Sequence, residues 1–215
     1  MKSIGVIGNG FVGGAIAAGL KHYNEVKIYD KEESKSTDTL ENVLKSDITF
    51  IAVPTPMSLK NGCRCDLSAV EDIFKKSSDF KTSTIFVIKS TVPIGTTSEL
   101  QEKYPDFNIL HSPEFLTART AELDFITPSR NIVGFPEKFT ESHNVPKALK
   151  ELYEERFPGT NCQLMASDES EAVKYIANCF FAVKISYFNQ VKMLCDKLNL
   201  NWDRVMRGVL SDGRI

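Results

Sequence analysis

A chain of 215 residues with 42% hydrophobic and 25% charged residues has the composition of a globular protein, long enough for one sizeable core and the start of a second. Its 26 basic and 28 acidic residues leave a net charge of -2, which excludes the electrostatic footprint of a nucleic-acid or anionic-membrane binder, so any phosphate must be met by a local site. No apolar run approaches the roughly 18 residues of a membrane span and no signal-peptide pattern opens the chain, so a cytoplasmic protein with neither nucleic-acid nor membrane partners is expected.

Residues 3–7 read as a first strand, followed at once by Gly8, Asn9, Gly10, Phe11, Val12 and Gly13 and then by a helix-like run. A GxGxxG between a strand and a helix is a dinucleotide-binding turn. Its first glycine permits the tight turn, its second lets a pyrophosphate approach the backbone, and its third allows close helix-to-strand packing, with the anion on the helix N-terminus. A second strand, 25–29, ends at Asp30, about twenty residues on, where a carboxylate accepts hydrogen bonds from ribose hydroxyls and repels a 2′-phosphate. NAD is therefore expected over NADP, with Lys35 near the ribose or pyrophosphate; a solvated loop lysine fits Lys35 equally well.

Strands are expected at 48–53, 84–89, 108–111 and 130–133, alternating with helical or loop segments. That rhythm gives an α/β fold: a Rossmann-like, doubly wound, mostly parallel sheet. In such sheets ligands bind outside the carboxyl ends of the strands. The third strand ends in Val53, Pro54 and Thr55, the fourth in Lys89, Ser90 and Thr91, and the fifth in His111-Ser112-Pro113 before Glu114, Phe115 and Leu116. Thr55 and Thr91 are placed to meet cofactor or a bridging water, although each also suits a turn or a helix cap.

A helix at 145–156 and a strand at 162–165 complete the first domain, 1–166. From Ser167 a capped helix with no internal Gly or Pro runs to about residue 198, with a short helix from about Trp202; residues 167–215 are expected to begin a second domain. Lys174, Asn178, Phe181, Ile185 and Asn189 share one stripe of the long helix at its 3.6-residue repeat. Burying an ammonium costs several kcal/mol without partners, so such a stripe suits stabilisation of an anion; a snorkelling lysine beside a core amide is the plainer reading. The apolar load of Phe180, Ile185, Phe188, Val191 and Leu194 suits a homodimer through this helix. Five irregularly spaced cysteines fit a reducing compartment. Cys63-Arg-Cys65 has no matching pair at zinc spacing, and no metal is expected.

The order and spacing of GNGFVG, Asp30 with Lys35, VPTP, KSTVPIGTT, SPEFL, EAVKYIANCFFAVKISYFNQV and Asp212-Gly-Arg-Ile215 resemble the nucleotide-sugar 6-dehydrogenases, the group containing UDP-glucose and GDP-mannose dehydrogenases. The resemblance runs nearly end to end. It implies oxidation of a sugar's primary alcohol to a carboxylate in two hydride transfers to NAD, UDP-glucose being the expected substrate, through a cysteine-bound thiohemiacetal and thioester. It also implies that Lys174 and Asn178 steady the oxyanion, that Thr91 positions a water for deprotonating the alcohol, that Glu114, Phe115 and Leu116 line the sugar pocket, and that Arg214 reaches a neighbouring subunit's substrate site.

Two features depart from the family pattern. A second glutamate common in relatives is Ala118 here, which bears on thioester hydrolysis. The nucleophile's Gly-Gly-x-Cys segment lies beyond the Asp-x-Arg-Ile element in relatives, so the chain is expected to represent the N-terminal portion of a longer enzyme and to show no turnover alone. None of Cys63, Cys65, Cys162, Cys179 or Cys195 has that context, and Cys179 reads as a buried packing thiol. A non-catalytic NAD-binding module and a β-hydroxyacid-type dehydrogenase remain as alternatives; SPEFL and KSTVP favour the nucleotide-sugar enzyme over the latter.

Overall fold

The computed structural model describes residues 1–58 and 64–214. Seven strands form the main sheet: β1 (Ser3–Ile7), β2 (Glu25–Tyr29), β3 (Ile48–Ile51), β6 (Ile85–Ile88), β7 (Asn108–His111), β8 (Asn131–Phe135) and β9 (Cys162–Ala166), in the order β2-β1-β3-β6-β7-β8-β9. The pairings are parallel except at β7–β8, where His111 opposes Gly134 in antiparallel sense. A small antiparallel hairpin, β4 (Met57–Ser58) with β5 (Arg64–Cys65), was not foreseen from the sequence. Cys63 lies outside the described residues.

The central strands are continuous apolar runs because both faces are covered. Side chains alternate between the faces. Phe50, Val87 and Leu110 enter the core that also holds Ile16, Leu149 and Tyr153, beneath helices α1 (Phe11–Leu20), α5 (Ala121–Ile126) and α6 (Asn144–Arg156). Ile51, Phe86, Ile88 and Ile109 enter the opposite core with Val70 and Phe74, beneath α2 (Leu40–Val43), α3 (Ser68–Ser77) and α4 (Thr96–Lys103). The carboxyl ends of β1, β3 and β6 thus open at one edge, below the glycine turn.

Helix α7 spans Ser167–Lys197 and α8 spans Trp202–Leu210, capped by the Asn201 side chain accepting from Arg204 N–H at 2.9 Å. The chain divides into two compact units, Met1–Lys174 and Tyr175–Ile215. This division falls inside α7, after Lys174. Ser167, Ser170, Glu171 and Lys174 recur at helical spacing and are all buried within the first unit, so the first two turns of the helix belong to the sheet's core.

Candidate dinucleotide and substrate site

The glycine turn carries its own physical signature. Gly8 has φ +93°, and a side chain there would meet Ala52 O at 2.6 Å; at Gly13 a Cβ would lie 1.8 Å from Gly8 O. Both positions require glycine for backbone reasons. Gly10 differs: a Cβ there would meet nothing within 4 Å. Gly10 is also the N-cap of α1, and no side chain caps that helix. The first-turn N–H groups therefore face open space at the wall of a cleft of about 440 Å³, lined by Gly8, Asn9, Gly10, Phe11 and Val12 but not by Gly13, which serves packing. An uncapped helix N-terminus above a space that only a missing side chain keeps clear fits a pyrophosphate.

Asp30 stands across the turn. Its Oδ2 accepts from Asn9 N–H at 2.6 Å and its Oδ1 from Glu32 N–H at 2.9 Å. Burial raises its pKa, but the two backbone donors, with Lys35 and Lys31, outweigh that and hold the carboxyl below its ordinary value. The carboxylate keeps unused lone pairs for ribose hydroxyls. Lys35 lines the cleft with its ammonium paired to Glu32, and its carbonyl accepts from Asn9 Nδ2 at 2.8 Å. Its charge is thus already met by a carboxylate. Asp30 and Glu32 balance Lys31 and Lys35, which leaves no net positive charge for a 2′-phosphate.

Val53, Pro54, Thr55, Ser90 and Thr91 all line the same cleft. Thr55 Oγ1 donates to Thr91 O at 2.6 Å, and Ser90 Oγ donates to Val53 O at 2.6 Å, so two hydroxyls staple the ends of β3 and β6 together. Both side chains position backbone here, in addition to forming the wall.

Beyond β7 the chain builds a charged cluster. Lys174 is 6% exposed, and its Nζ donates to both Glu114 O and Glu114 Oε1 at 2.7 Å. Glu114 Oε2 accepts from Leu116 N–H at 2.6 Å, fixing the carboxylate. The Phe115 ring is close to two cations, with the Arg130 guanidinium at 3.9 Å and Lys174 Nζ at 5.7 Å from its centroid. Glu114, Phe115, Leu116 and Arg130 line a second pocket of about 280 Å³, which shares Lys89 and Glu114 with the cofactor cleft. The two cavities therefore have these side chains as a common wall.

Lys89 was not picked out by the sequence reading as a site residue. It is 6% exposed, and burial, with a further push from Lys174 against the pull of Glu114, lowers its pKa to about 7. Its signal in the sequence is a lysine ending the apolar run Ile85–Ile88 where a carboxyl-edge residue belongs. His111, next along the edge, shares a 2.6 Å hydrogen bond from Nδ1 with Ser170 Oγ, and burial, Lys89 and Lys174 hold it neutral with a pKa of about 3.

The second unit carries the remaining expected residues. Asn178, Phe181, Ile185 and Asn189 are exposed, so of the long-helix stripe only Lys174 is buried. Arg214 is exposed and pairs with Asp212, Nη2 to Oδ2 at 2.6 Å. Cys179 is exposed rather than buried, since no described residue covers that turn of the helix. Cys65, by contrast, is half-buried, its Sγ 3.6 Å from Thr55 O and 3.9 Å from Thr91 O. Cys162 is pushed up to about 11 by burial. Among the described residues no group of three His, Cys, Asp or Glu side chains is arranged to hold a metal, and no helix is long and apolar enough to cross a membrane.

Residues 20–157 match the UDP-glucose/GDP-mannose dehydrogenase family, NAD binding domain, and residues 168–215 match the central domain of the same family. The UDP-glucose 6-dehydrogenase of Campylobacter jejuni is 28% identical over 243 aligned positions, covering 98% of this chain and 60% of that protein. That of Rhizobium meliloti is 34% identical over 188 positions, covering 83% and 42% respectively. The solved UDP-glucose dehydrogenase of the hyperthermophilic archaeon Pyrobaculum islandicum superposes with a TM-score of 0.85 at 28% identity, over 100% of this chain and 58% of that one. The chain thus spans about 60% of the length of these relatives at most. With a glycine turn built for a pyrophosphate, a ribose-side carboxylate and both domain matches in register along the sequence, the chain belongs to the UDP-glucose/GDP-mannose dehydrogenase family, and its cofactor is NAD.

Proposed function

We propose that this chain forms the cofactor-binding part of an NAD-dependent nucleotide-sugar 6-dehydrogenase acting on UDP-glucose. The observation that carries this reading is the buried Lys174–Glu114 pair, whose Glu114 lines both the cofactor cleft and a second pocket. NAD bound along the glycine turn supplies the hydride acceptor. The chain's own groups do the rest. Asp30 orients the ribose, and the α1 N-terminus meets the pyrophosphate. Thr91, lining the cleft just beyond β6, is placed to position a water for deprotonating the alcohol. Lys174 has two of its three donors engaged by Glu114, which leaves the third for an oxygen that becomes negative during reaction. Fixing the ammonium beforehand is what makes it useful: a preorganised donor in a water-poor site stabilises developing charge without reorganising. Glu114, Phe115 and Leu116 form the sugar-side wall; Asn178 is taken as a further substrate-binding residue, and Arg214 as one that serves a neighbouring subunit. The names of the two curated relatives and of the solved structure support UDP-glucose as the sugar nucleotide.

Calorimetric titration of the chain with NAD and NADP tests the cofactor half of this reading. NAD binds and NADP binds more weakly; an NADP preference, or no NAD binding, overturns it. Ligand-detected NMR with UDP-glucose in the presence of NAD tests the substrate half. Contact signals from the glucose C6 protons that disappear in Lys174→Met support the assignment, and signals unaffected by that change count against it.

A further inference from the structure

The cofactor cleft holds an ion pair to which the function just proposed gives no task. With the ribose at Asp30 and the reacting carbon near Lys174, the adenosine half of the dinucleotide lies at the β2 end of the cleft and its nicotinamide at the Glu114 end. Helix α3 supplies a wall of the same cleft: Ala69, Asp72, Ile73 and Lys76 line it at the i, i+3, i+4 and i+7 spacing of a single helix face. Tyr29, the last residue of β2, packs against the core that holds Val70, Ile73 and Phe74, so α3 stands beside the strand that leads into Asp30.

That face is part apolar and part charged. Ile73 is buried and Ala69 half-buried, which gives the plane of a base an apolar surface to lie on. Asp72 and Lys76 are half-exposed and paired, Oδ2 to Nζ at 2.6 Å. The plain reading is a solvated i, i+4 pair of the kind formed by Glu41 with Lys45 and by Lys150 with Glu154. Neither of those lines the cofactor cleft, whereas both Asp72 and Lys76 do. Their pairing engages one of the ammonium's three donors and one of the carboxylate's roughly four lone-pair sites, so an acceptor and a donor remain side by side at the wall. The loop after β2 offers no rival: Glu32 and Lys35 are paired to each other, and Asp30 is engaged by the backbone of Asn9 and Glu32.

We propose that Asp72 and Lys76 read the edge of the cofactor's base, Asp72 accepting from the N6 amino group and Lys76 donating to the neighbouring ring nitrogen, so that this chain selects adenine over 6-oxopurines. Adenine sets an amino donor beside a ring-nitrogen acceptor, the complement of a carboxylate beside an ammonium. In hypoxanthine and guanine position 6 is a carbonyl, and its lone pairs would face the Asp72 carboxylate. The ion pair holds that carboxylate in place before the base arrives, which limits the ordering cost of the contact. This reading rests on NAD lying along the glycine turn as above, and it adds a choice of base to the choice at the ribose, where Asp30 tests only for a 2′-phosphate.

Calorimetric titration with NAD and with nicotinamide hypoxanthine dinucleotide, which differ only in the base, reads the selection directly. NAD binds about tenfold more tightly, the discrimination expected of a polar contact in a half-exposed site. Asp72→Ala brings the two dissociation constants together, chiefly by weakening NAD, and so does Asp72→Asn, whose amide can turn either a donor or an acceptor toward position 6. Melting curves of both variants stay near that of the parent, since the side chain is half-exposed on a helix surface. In NMR of the NAD complex, the adenine ring protons show contacts to the Ile73 methyl groups. Equal affinity of the unmodified chain for the two dinucleotides, a preference for NAD that survives Asp72→Ala, or a bound adenine without contacts to Ile73 overturns the assignment while leaving NAD binding and the dehydrogenase reading intact. Failure of the unmodified chain to bind either dinucleotide instead overturns the placement of NAD, and the reading of the base with it.

Discussion

At the scale of single residues, Gly10 and Gly13 make opposite predictions although they belong to one motif. Gly10→Ala places a methyl in space that no described residue fills, so thermal stability stays near that of the parent while NAD affinity falls, as calorimetry and a melting curve on the same sample would show. Gly13→Ala drives a Cβ into the Gly8 carbonyl and costs the fold itself, about 3 kcal/mol or more by denaturant titration. His111 supplies a pH dependence. Its folded pKa of about 3 lies below the ordinary 6.5, so its contribution to stability is present above pH 6.5 and is lost progressively as pH falls toward 3, when the unfolded chain takes up a proton that the folded chain refuses. The slope of unfolding free energy between pH 6.5 and 5 should be shallower in His111→Gln by at most about 1.4 kcal/mol per pH unit. The glycines and Asp30 were legible in the sequence because their roles are backbone roles at fixed spacing. Lys89 was not, because a lysine at a strand end is ordinary until burial and a neighbouring ammonium are known.

At the scale of elements, α7 ties the sheet to its own first turns. Glu171 accepts from Gly95 N–H at 2.6 Å and from Thr97 N–H and Oγ1 at 2.8 and 2.6 Å, capping α4, a helix with no side-chain cap of its own, from a segment more than seventy residues later. Glu171→Ala should therefore cost about 2 kcal/mol, and exchange of the amides in the first turn of α4 should rise in hydrogen-exchange measurements; unchanged exchange there would contradict the capping role. Sequence periodicity found α7 within a residue or two of its ends, since no Gly or Pro interrupts it. It did not find the β4–β5 hairpin, whose two-residue strands are too short to carry a pattern. Nor did it reveal that β8 runs against β7, because strand direction is set by the path of the connection and leaves no trace in an apolar run.

At the scale of the whole molecule, the second unit exposes Ile176, Phe180, Phe181, Val183, Ile185 and Tyr187 along α7. These side chains support the proposed homodimer through this helix. Sedimentation equilibrium should report a dimer, and Phe181→Glu with Ile185→Glu should shift it to monomer without altering NAD binding; a monomeric parent chain would refute the proposal. The sequence by itself determined the sheet class and the cofactor turn, and it supplied the charges expected to disfavour a 2′-phosphate, since each depends on local periodicity or on charges a few residues apart. Only the tertiary structure decided that the first turns of α7 pack into the sheet unit, that Glu114 holds Lys174, and that Lys89 is buried with no ion pair to any described carboxylate. Those outcomes depend on which side chains from distant segments share a water-poor space, and that energy is set by burial and partner distance rather than by position along the chain.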